Sequence, residues 1–362
     1  MPKLSLTMIV KNEQKYLERC LNSVKNIVDE IIIVDTGSTD DTKVIASSFQ
    51  AKIYDYQWID DFSVARNFAL LQSTGDWNLI LDADEYIVND CNVDIVDFIN
   101  NENNQNIIGR IKIVNKFVQN SEIRYSEAFV SRLIPKGIGY TGRIHEQIES
   151  DFVRKNINVE VFHDGYFEKD KTQRNLSILL KELEEKPYDD YILYQVGKQY
   201  QLKKRLQESE KYFGESNKLI ASDSWYRPSL IVDYLYVIIN NKSFAKGLRI
   251  IHQEQERLAD MPDFHFVCGL FYMELVFYNI KQYGHLFKNI EKSFLNCLAI
   301  GETSEYDSVK GTGSFLASYN LGVYYETTGD IKKGIYYYQN ASQYQYEPAI
   351  DRLRRLVKSN ID

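Results

Sequence analysis

Four short apolar runs alternate with helix-patterned segments between residues 4 and 81, and this alternation constrains the fold more than any other feature of the chain. Leu4–Val10 reads as a strand. Tyr16–Val24 has helical spacing, with Tyr16, Leu17, Cys20, Leu21 and Val24 on one face, and Glu30–Val34 is a second apolar run. Thr42–Phe49 reads as a helix, Ala51–Tyr54 as a strand, Phe62–Leu71 as a helix and Asn78–Leu81 as a strand. Such repetition predicts an α/β sheet with mostly parallel strands. Ligands of these sheets bind beyond the carboxyl ends of the strands. Asn12-Glu13, Asp35 and the pair Asp82/Asp84 all fall at that edge.

The fourth run ends in three carboxylates, Asp82, Asp84 and Glu85. Side chains two apart on a strand point the same way, so Asp82 and Asp84 are expected to converge on one spot. Two such carboxylates repel, and a hard divalent cation, Mg²⁺ or Mn²⁺, relieves the repulsion while sharing its oxygen ligands with substrate phosphates. A solvated acidic turn is the plainer reading of the same residues. After the second strand, Gly37 permits a tight turn. Ser38, Thr39 and Asp40 are candidate N-caps for the helix from Thr42.

Further along, Val93–Ile99 reads as a short helix and Asn100–Asn106 as an exposed polar loop. Ile107–Val118 and Ile123–Ile134 read as two long strands of a hairpin. Gly137, Gly139 and Gly142 predict a flexible loop leading into Arg143-Ile144-His145-Glu146, and Val159–Phe162 is a last strand ending at His163-Asp164-Gly165-Tyr166. Strand signals then stop, and Glu168–Arg174 reads as a linker or the start of a long helix. Two later segments resemble each other: Tyr194-x-x-Gly197-x-x-Tyr200 with Glu210, Tyr212, Phe213 and Ser216, and Asn320-Leu321-Gly322-x-Tyr324-Tyr325 with Gly329-Asp330, Gly334, Tyr337, Tyr338, Ala341 and Pro348. The second follows the tetratricopeptide pattern and the first is degenerate. Ser229–Leu258 and Phe264–Ala299 read as helix pairs without a clean repeat. The expected division is an α/β domain over 1–168 and an all-α, tetratricopeptide-like helical-repeat domain over 169–362, with an irregular helical bundle as the alternative for the second.

A net charge of −8 argues against a nucleic-acid partner, which calls for a basic footprint. The four cysteines, Cys20, Cys91, Cys268 and Cys297, form no Cys-x-x-Cys pair, which excludes a thiolate zinc cluster and argues against a disulfide framework. The first residues lack the pattern of a signal peptide, and no uninterrupted apolar run reaches about 18 residues. The expected setting is the cytoplasm, with no membrane span.

Asn12-Glu13, Asp35-x-Gly37-Ser38-Thr39-Asp40, Asp61-Phe62-x-x-Ala65-Arg66-Asn67 and Asp82-Ala83-Asp84-Glu85 resemble, in this order, the motifs of inverting family-2 glycosyltransferases of the GT-A fold, a Rossmann-like α/β architecture. Joined to tetratricopeptide-like helices, the chain resembles the S-glycosyltransferases of the sublancin and thurandacin type, which modify bacteriocin peptides. Arg143-Ile144-His145-Glu146, His163-Asp164-Gly165-Tyr166 and Lys171-Thr172-Gln173-Arg174-Asn175 resemble segments of those enzymes.

The resemblance implies a UDP-sugar donor, UDP-glucose first, with Mg²⁺ or Mn²⁺. Asp35 would accept from the uracil N–H, backbone near Val10 would complete the base pocket, and Asn12 and Glu13 would lie close to the nucleotide. A turn role in Asp-x-Gly-Ser is the alternative for Asp35. Arg66 would be the counter-charge for uracil oxygen or diphosphate, its fork suiting such acceptors, or else would form a surface ion pair with Asp60 or Asp61. Asp84 is the leading metal ligand and His163 the candidate third ligand, with Asp82 near the ribose or coordinating through water. Glu146 is the candidate base, with His145 as alternative or partner. A salt bridge between Glu146 and Arg143 is the competing reading.

A peptide acceptor, and a cysteine of a bacteriocin precursor in particular, follows from the resemblance. A thiol, with a reference pKa of about 8.5, asks less of a base than a hydroxyl does. The helical half would present a concave surface to a peptide or to a second copy of the chain, giving a homodimer. The rival expectations are a transferase acting on a cell-envelope saccharide and a non-catalytic helical scaffold.

Overall fold

The computed structural model describes residues 1–119, 122–163, 172–303 and 305–358. By internal contact the chain divides into two compact units, Met1–Glu185 and Lys186–Asp362. The expected boundary at 168/169, and with it Asp164, Gly165, Tyr166 and Lys171, lies outside the described residues.

In the first unit the alternation of the sequence becomes β1 (Leu4–Val10), α1 (Leu17–Val24), β2 (Glu30–Asp35), α2 (Thr42–Ser48), β3 (Lys52–Asp55), α3 (Phe62–Gln72) and β4 (Trp77–Ile80). The four strands pair in parallel in the order β3-β2-β1-β4. β1, β2 and β4 are buried along nearly their whole length, as strands flanked by crossover helices are. The apolar stripe of α1 goes to the core through Leu17, Cys20, Leu21 and Val24. Asp61 caps α3 by accepting from the Val64 N–H, so this helix starts where its cap dictates.

After β4 come β5 (Glu85–Ile87), α4 (Asn92–Asn100), β6 (Ile107–Gln119), β7 (Glu122–Pro135), β8 (Gly139–Thr141), β9 (Gln147–Glu149), β10 (Val153–His163) and α5 (Thr172–Glu185). The sheet continues from β4 through β7, β6 and β10 to β5. β7 runs antiparallel to both β4 and β6, as the hairpin reading requires, while β10 is parallel to β6 and β5 antiparallel to β10. One core joins the two halves of the sheet, with Leu6, Met8, Ile33, Leu79, Ile111, Leu133 and Val161 in contact.

Three elements differ from expectation. β5 forms inside the acidic turn, where its three residues offer no strand pattern. β10 opens at Val153 rather than Val159, because residues 153–156 are exposed and only Val153 among them is apolar, so they carry no apolar alternation. The glycine-rich segment is no loose loop. Gly137 and Gly142 take the left-handed conformation, and between and beyond them β8 and β9 close a two-stranded ribbon.

The second unit is all helix apart from a two-residue strand among its described residues: α6 (Asp190–Leu202), α7 (Leu206–Leu219), α8 (Arg227–Asn241), α9 (Phe244–Glu254), α10 (Pro262–Tyr278), α11 (Ile280–Tyr283), α12 (Phe287–Ile300), α13 (Phe315–Thr327), α14 (Ile331–Ser342) and α15 (Glu347–Lys358). One junction recurs. A glycine on one helix lies under an aromatic ring of a later helix: Gly197 under Phe213, Gly247 under Phe271, Gly269 under Phe294 and Gly322 under Tyr338. The interval from Gly269 to Phe294 is longer than that from Gly197 to Phe213, because α11 and a single 3₁₀ turn intervene. That insertion hides the repeat in the middle of the sequence. The unit is a helical-repeat array of the tetratricopeptide kind, and the first unit an α/β sheet of the GT-A kind.

Candidate functional site

The carboxyl ends of β1 and β2 meet in a cradle built by reciprocal hydrogen bonds. Asn12 N donates to Ser38 Oγ at 2.9 Å, and Thr39 N to Asn12 Oδ1 at 2.8 Å. Glu13 N donates to Thr42 Oγ1 at 2.8 Å, and Gln14 N to Asp40 Oδ2 at 3.2 Å. Asn12 takes a left-handed φ of 55° to make its share of these contacts. Ser38 and Thr39, read as helix caps, are turned toward Asn12; Asp40 is the residue that accepts from Thr42 N, at 3.1 Å.

Asp35 closes the end of β2 and is fully buried. Its Oδ1 accepts from Gly37 N at 2.9 Å and Ser38 N at 2.8 Å, which is the turn role. Gly37 completes that turn at a φ of 105°. Asp35 Oδ2 is buried with no hydrogen-bond partner in the protein. A buried acceptor left open costs about 1–3 kcal/mol, so this oxygen is poised for a donor from outside the chain. The Val10 carbonyl, by contrast, already accepts from both the N–H and the hydroxyl of Thr36.

The acidic turn is organised differently from the sequence expectation. β4 ends at Ile80, so Asp82 and Asp84 lie in a turn and the alternation of a strand no longer applies to them. Asp82 Oδ1 accepts from Arg66 Nη2 at 2.8 Å, and Oδ2 from Arg132 Nη2 at 3.2 Å. The same Arg132 nitrogen donates to Glu85 Oε1 at 2.7 Å, and Glu85 Oε2 accepts from Asp82 N at 2.8 Å. Asp84 instead faces His163, with Oδ1 and Nε2 3.5 Å apart. The repulsion expected between the two aspartates is thus met by two guanidiniums. Burial alone would raise the Asp82 carboxyl, but Arg66 and Arg132 hold it well below the usual carboxylate range. Burial pushes Glu85 up, with Arg132 opposing. Burial would lower His163; the hydrogen bond and charge of Asp84 outweigh it and raise the imidazole.

Arg66 is buried and makes no surface pair with Asp60 or Asp61. Its Nε donates to Glu146 Oε1 while Nη2 holds Asp82. Glu146 is brought there by α3 and the ribbon together. Asn67 bonds the Tyr140 backbone at both ends, accepting from its N at 2.8 Å and donating to its O at 2.9 Å, and Phe62 N donates to the Arg143 carbonyl at 2.8 Å. The competing Arg143–Glu146 bridge does not form; Arg143 pairs with Glu185 at 2.6 Å. His145 precedes Glu146 at a φ of 53°, a costly conformation for a residue with a Cβ.

A continuous chain of charge results: Glu146, Arg66, Asp82, Arg132, Glu85. Removing one member of the buried pairs Arg66–Glu146 and Arg132–Glu85 costs about 3–5 kcal/mol, while Asp82, its side chain 36% exposed, links the two pairs. Arg132 and Asn115 had no role in the sequence reading. Asn115 Oδ1 lies 2.8 Å from His163 Nδ1, an arrangement that orients a metal-binding imidazole. For Arg132 a signal existed, a lone cation inside the apolar run Ala128–Pro135.

Among the described residues no three His, Cys, Asp or Glu side chains are grouped to hold a metal. Asp84 and His163 supply one hard oxygen and one nitrogen. That suits a cation which takes one or two protein ligands and fills its remaining positions from a substrate diphosphate. The donor set therefore fits Mg²⁺ or Mn²⁺ held jointly with a nucleotide.

Residues 5–169 match the family model described as Glycosyl transferase family 2. The chain is 27% identical over 239 residues to the SPbeta prophage-derived glycosyltransferase SunS of Bacillus subtilis (strain 168), covering 59% of this chain and 53% of that protein. It is 53% identical over 88 residues to a TPR repeat-containing protein of Synechococcus elongatus, covering 24% of this chain and 22% of that one. The chain thus spans about half, or less, of the length of these curated relatives. Among solved structures, S. aureus TarS 1–349 shares 15% identity at a TM-score of 0.36, covering 70% of this chain and 91% of that one.

Proposed function

We propose that the glycosyltransferase family 2 domain of this chain is catalytic and transfers a hexose, glucose first among candidates, from a UDP-sugar to a peptide, with inversion at the anomeric carbon. Asp35 Oδ2 accepts from the uracil N–H, beside Asn12 and Glu13 and the end of β1 at Val10. Asp84 and His163 hold a divalent cation, whose charge offsets that of the departing diphosphate. Asp82 is committed to Arg66 and Arg132 and serves the donor through Arg66 rather than as a direct ligand.

In the transfer, the acceptor's sulfur or oxygen forms a bond to the anomeric carbon as the bond from that carbon to the diphosphate oxygen breaks. The acceptor proton goes to Glu146 or His145. The cytoplasm is the proposed setting, and a cysteine of a bacteriocin precursor the first-choice acceptor, on the resemblance stated above.

The observation that carries this reading is the single guanidinium of Arg66, which touches both Asp82 of the donor edge and Glu146 of the candidate base. This supports the reading because the residues proposed to serve donor and acceptor lie within one side chain's span, the proximity that an in-line displacement requires.

The test is transfer by the full chain, with UDP-glucose and other UDP-hexoses, Mg²⁺ or Mn²⁺, and a panel of cysteine- and serine-containing peptides. Mass spectrometry would locate any added hexose. A hexose on cysteine, lost with Asp84→Ala, supports the whole reading. UDP release without peptide modification keeps the transferase and points to a saccharide acceptor. No binding of UDP or its sugars, with or without metal, leaves the helical scaffold as the better description.

A further inference from the structure

Around the acidic turn, four carboxylates, Asp82, Asp84, Glu85 and Glu146, face two guanidiniums and one imidazole. The distribution is uneven. Arg66 and Arg132 both sit on the Asp82 side, and a single nitrogen of Arg132 bridges Asp82 Oδ2 and Glu85 Oε1. Side-chain exposure is 11% for Arg132 and 3% for Glu85, so solvent screens this bridge little.

Without Arg132, Asp82 Oδ2 and Glu85 Oε1, which share its nitrogen at 3.2 and 2.7 Å, would be two hard oxygens open to a divalent cation in its place. With it, both Asp82 and Glu85 are occupied.

Resting on the donor-site reading above, we infer that Arg132 is a positioning residue that acts through Asp82 and Glu85 to keep the turn from binding a divalent cation alone, so that the cation is held only together with a nucleotide diphosphate. Arg132 acts through the two carboxylates it holds. Its charge substitutes for the cation at Asp82 and Glu85 and confines metal binding to the Asp84–His163 side. The arrangement prevents an empty enzyme from trapping metal in a geometry that uses up the carboxylates the site needs elsewhere.

The experiment is Mn²⁺ binding to the full chain at pH 8, followed by calorimetry and by the electron paramagnetic signal of free Mn²⁺, with and without UDP. Wild-type protein should bind Mn²⁺ weakly alone and far more tightly with UDP. Arg132→Gln should bind nucleotide-free Mn²⁺ about tenfold tighter or more, as expected when a cation a few ångströms away is removed, and should gain less from UDP. Arg132→Gln/Glu85→Gln restores the balance of charge and should return nucleotide-free binding toward the wild-type value. A merely structural arginine would lower the melting temperature and leave nucleotide-free Mn²⁺ affinity unchanged or weaker; that result, with wild type still binding Mn²⁺–UDP, overturns the inference alone. If Arg132→Gln does not fold, Arg132→Met carries the same comparison, since it too removes the charge while keeping an unbranched stem in the strand. Unchanged Mn²⁺ affinity there is equally decisive. Wild type that binds neither UDP nor Mn²⁺–UDP overturns the donor-site reading, and this inference with it.

Discussion

His163 Nδ1 meets Asn115 Oδ1 at 2.8 Å across the paired strands β10 and β6, and this contact turns Nε2 toward Asp84. The register that places Asn115 opposite His163 therefore selects which imidazole nitrogen faces the acidic turn. With Nδ1 carrying the proton shared with Asn115, Nε2 is the nitrogen that can coordinate.

Asn115→Leu removes the orienting acceptor while leaving both proposed ligands in the chain. Loss of such an outer partner typically costs about 10–100-fold in metal affinity, and Mn²⁺-dependent UDP binding should fall in that range. Binding of UDP without metal should change little. Calorimetry with and without Mn²⁺ separates the two, and an equal loss in both would assign Asn115 to the fold instead.

At Asp35 the two carboxylate oxygens have separate duties, so a substitution can separate them. Asp35→Asn retains one oxygen for Gly37 N and Ser38 N and converts the buried, unpartnered oxygen into a donor. A donor facing the uracil N–H leaves both groups unsatisfied, worth about 1–3 kcal/mol or roughly 10–100-fold in UDP affinity. The melting temperature should stay close to wild type. A cytidine nucleotide, which offers a ring acceptor at that position, should lose less than UDP does; equal losses for both would remove Asp35 from base recognition.

What the sequence revealed and what it withheld divide along physical lines. The positions of Asp35, Asp84 and His163 at or just beyond strand ends were legible, because polar residues that follow buried apolar runs mark where those runs stop. Arg66 was found by its motif, but its burial was not, since nothing local says that Glu146 returns to it from a ribbon eighty residues later. Arg132 lies inside a strand and acts on residues of another turn, so its role depends on the antiparallel pairing of β4 with β7. The same holds for Asn115 and the register of β6 on β10. Strand β5 and the ribbon of β8 and β9 are too short to carry a period. In the helical unit, the insertion before α12 concealed a junction that Gly269 and Phe294 nevertheless form.

That junction makes a stability prediction. A Cβ on Gly322 would stand 2.5 Å from Tyr338 Cδ1, and Tyr338 is fully buried and hydrogen-bonded through its hydroxyl to Glu326 at 2.6 Å, so the ring cannot withdraw. Overpacking of this kind costs about 1–3 kcal/mol. Gly322→Ala should lower the melting temperature of the helical unit by roughly 2–4 °C for each kcal/mol. Gly329→Ala, whose Cβ meets nothing but whose φ is 85°, destabilises through the backbone alone. Adding Tyr338→Leu should recover part of the loss at Gly322 and none at Gly329. Recovery at both would mean the ring is not the obstacle.

Asp263 gives the helical unit a pH dependence of opposite sign to that of an ordinary salt-bridged carboxylate. It lies in the first turn of α10, accepting from Val309 N at 2.9 Å and Thr312 Oγ1 at 2.9 Å and from the Ser308 hydroxyl. Burial raises it from 3.8 to about 6 against these hydrogen bonds. The folded form therefore holds a proton that the unfolded chain releases, and between about pH 4 and 6 the native state binds more protons than the unfolded one. The stabilisation is fully present below the unfolded value and is lost as pH rises through the folded one. Asp263→Asn removes this titration while keeping a polar group among the same donors. The difference in unfolding free energy, wild type minus variant, should fall as pH goes from 4 to 6 and level off above. Urea denaturation of both proteins at pH 4, 5, 6 and 7 reads that slope, and a difference that rises with pH would show Asp263 ionised throughout and held by its three donors.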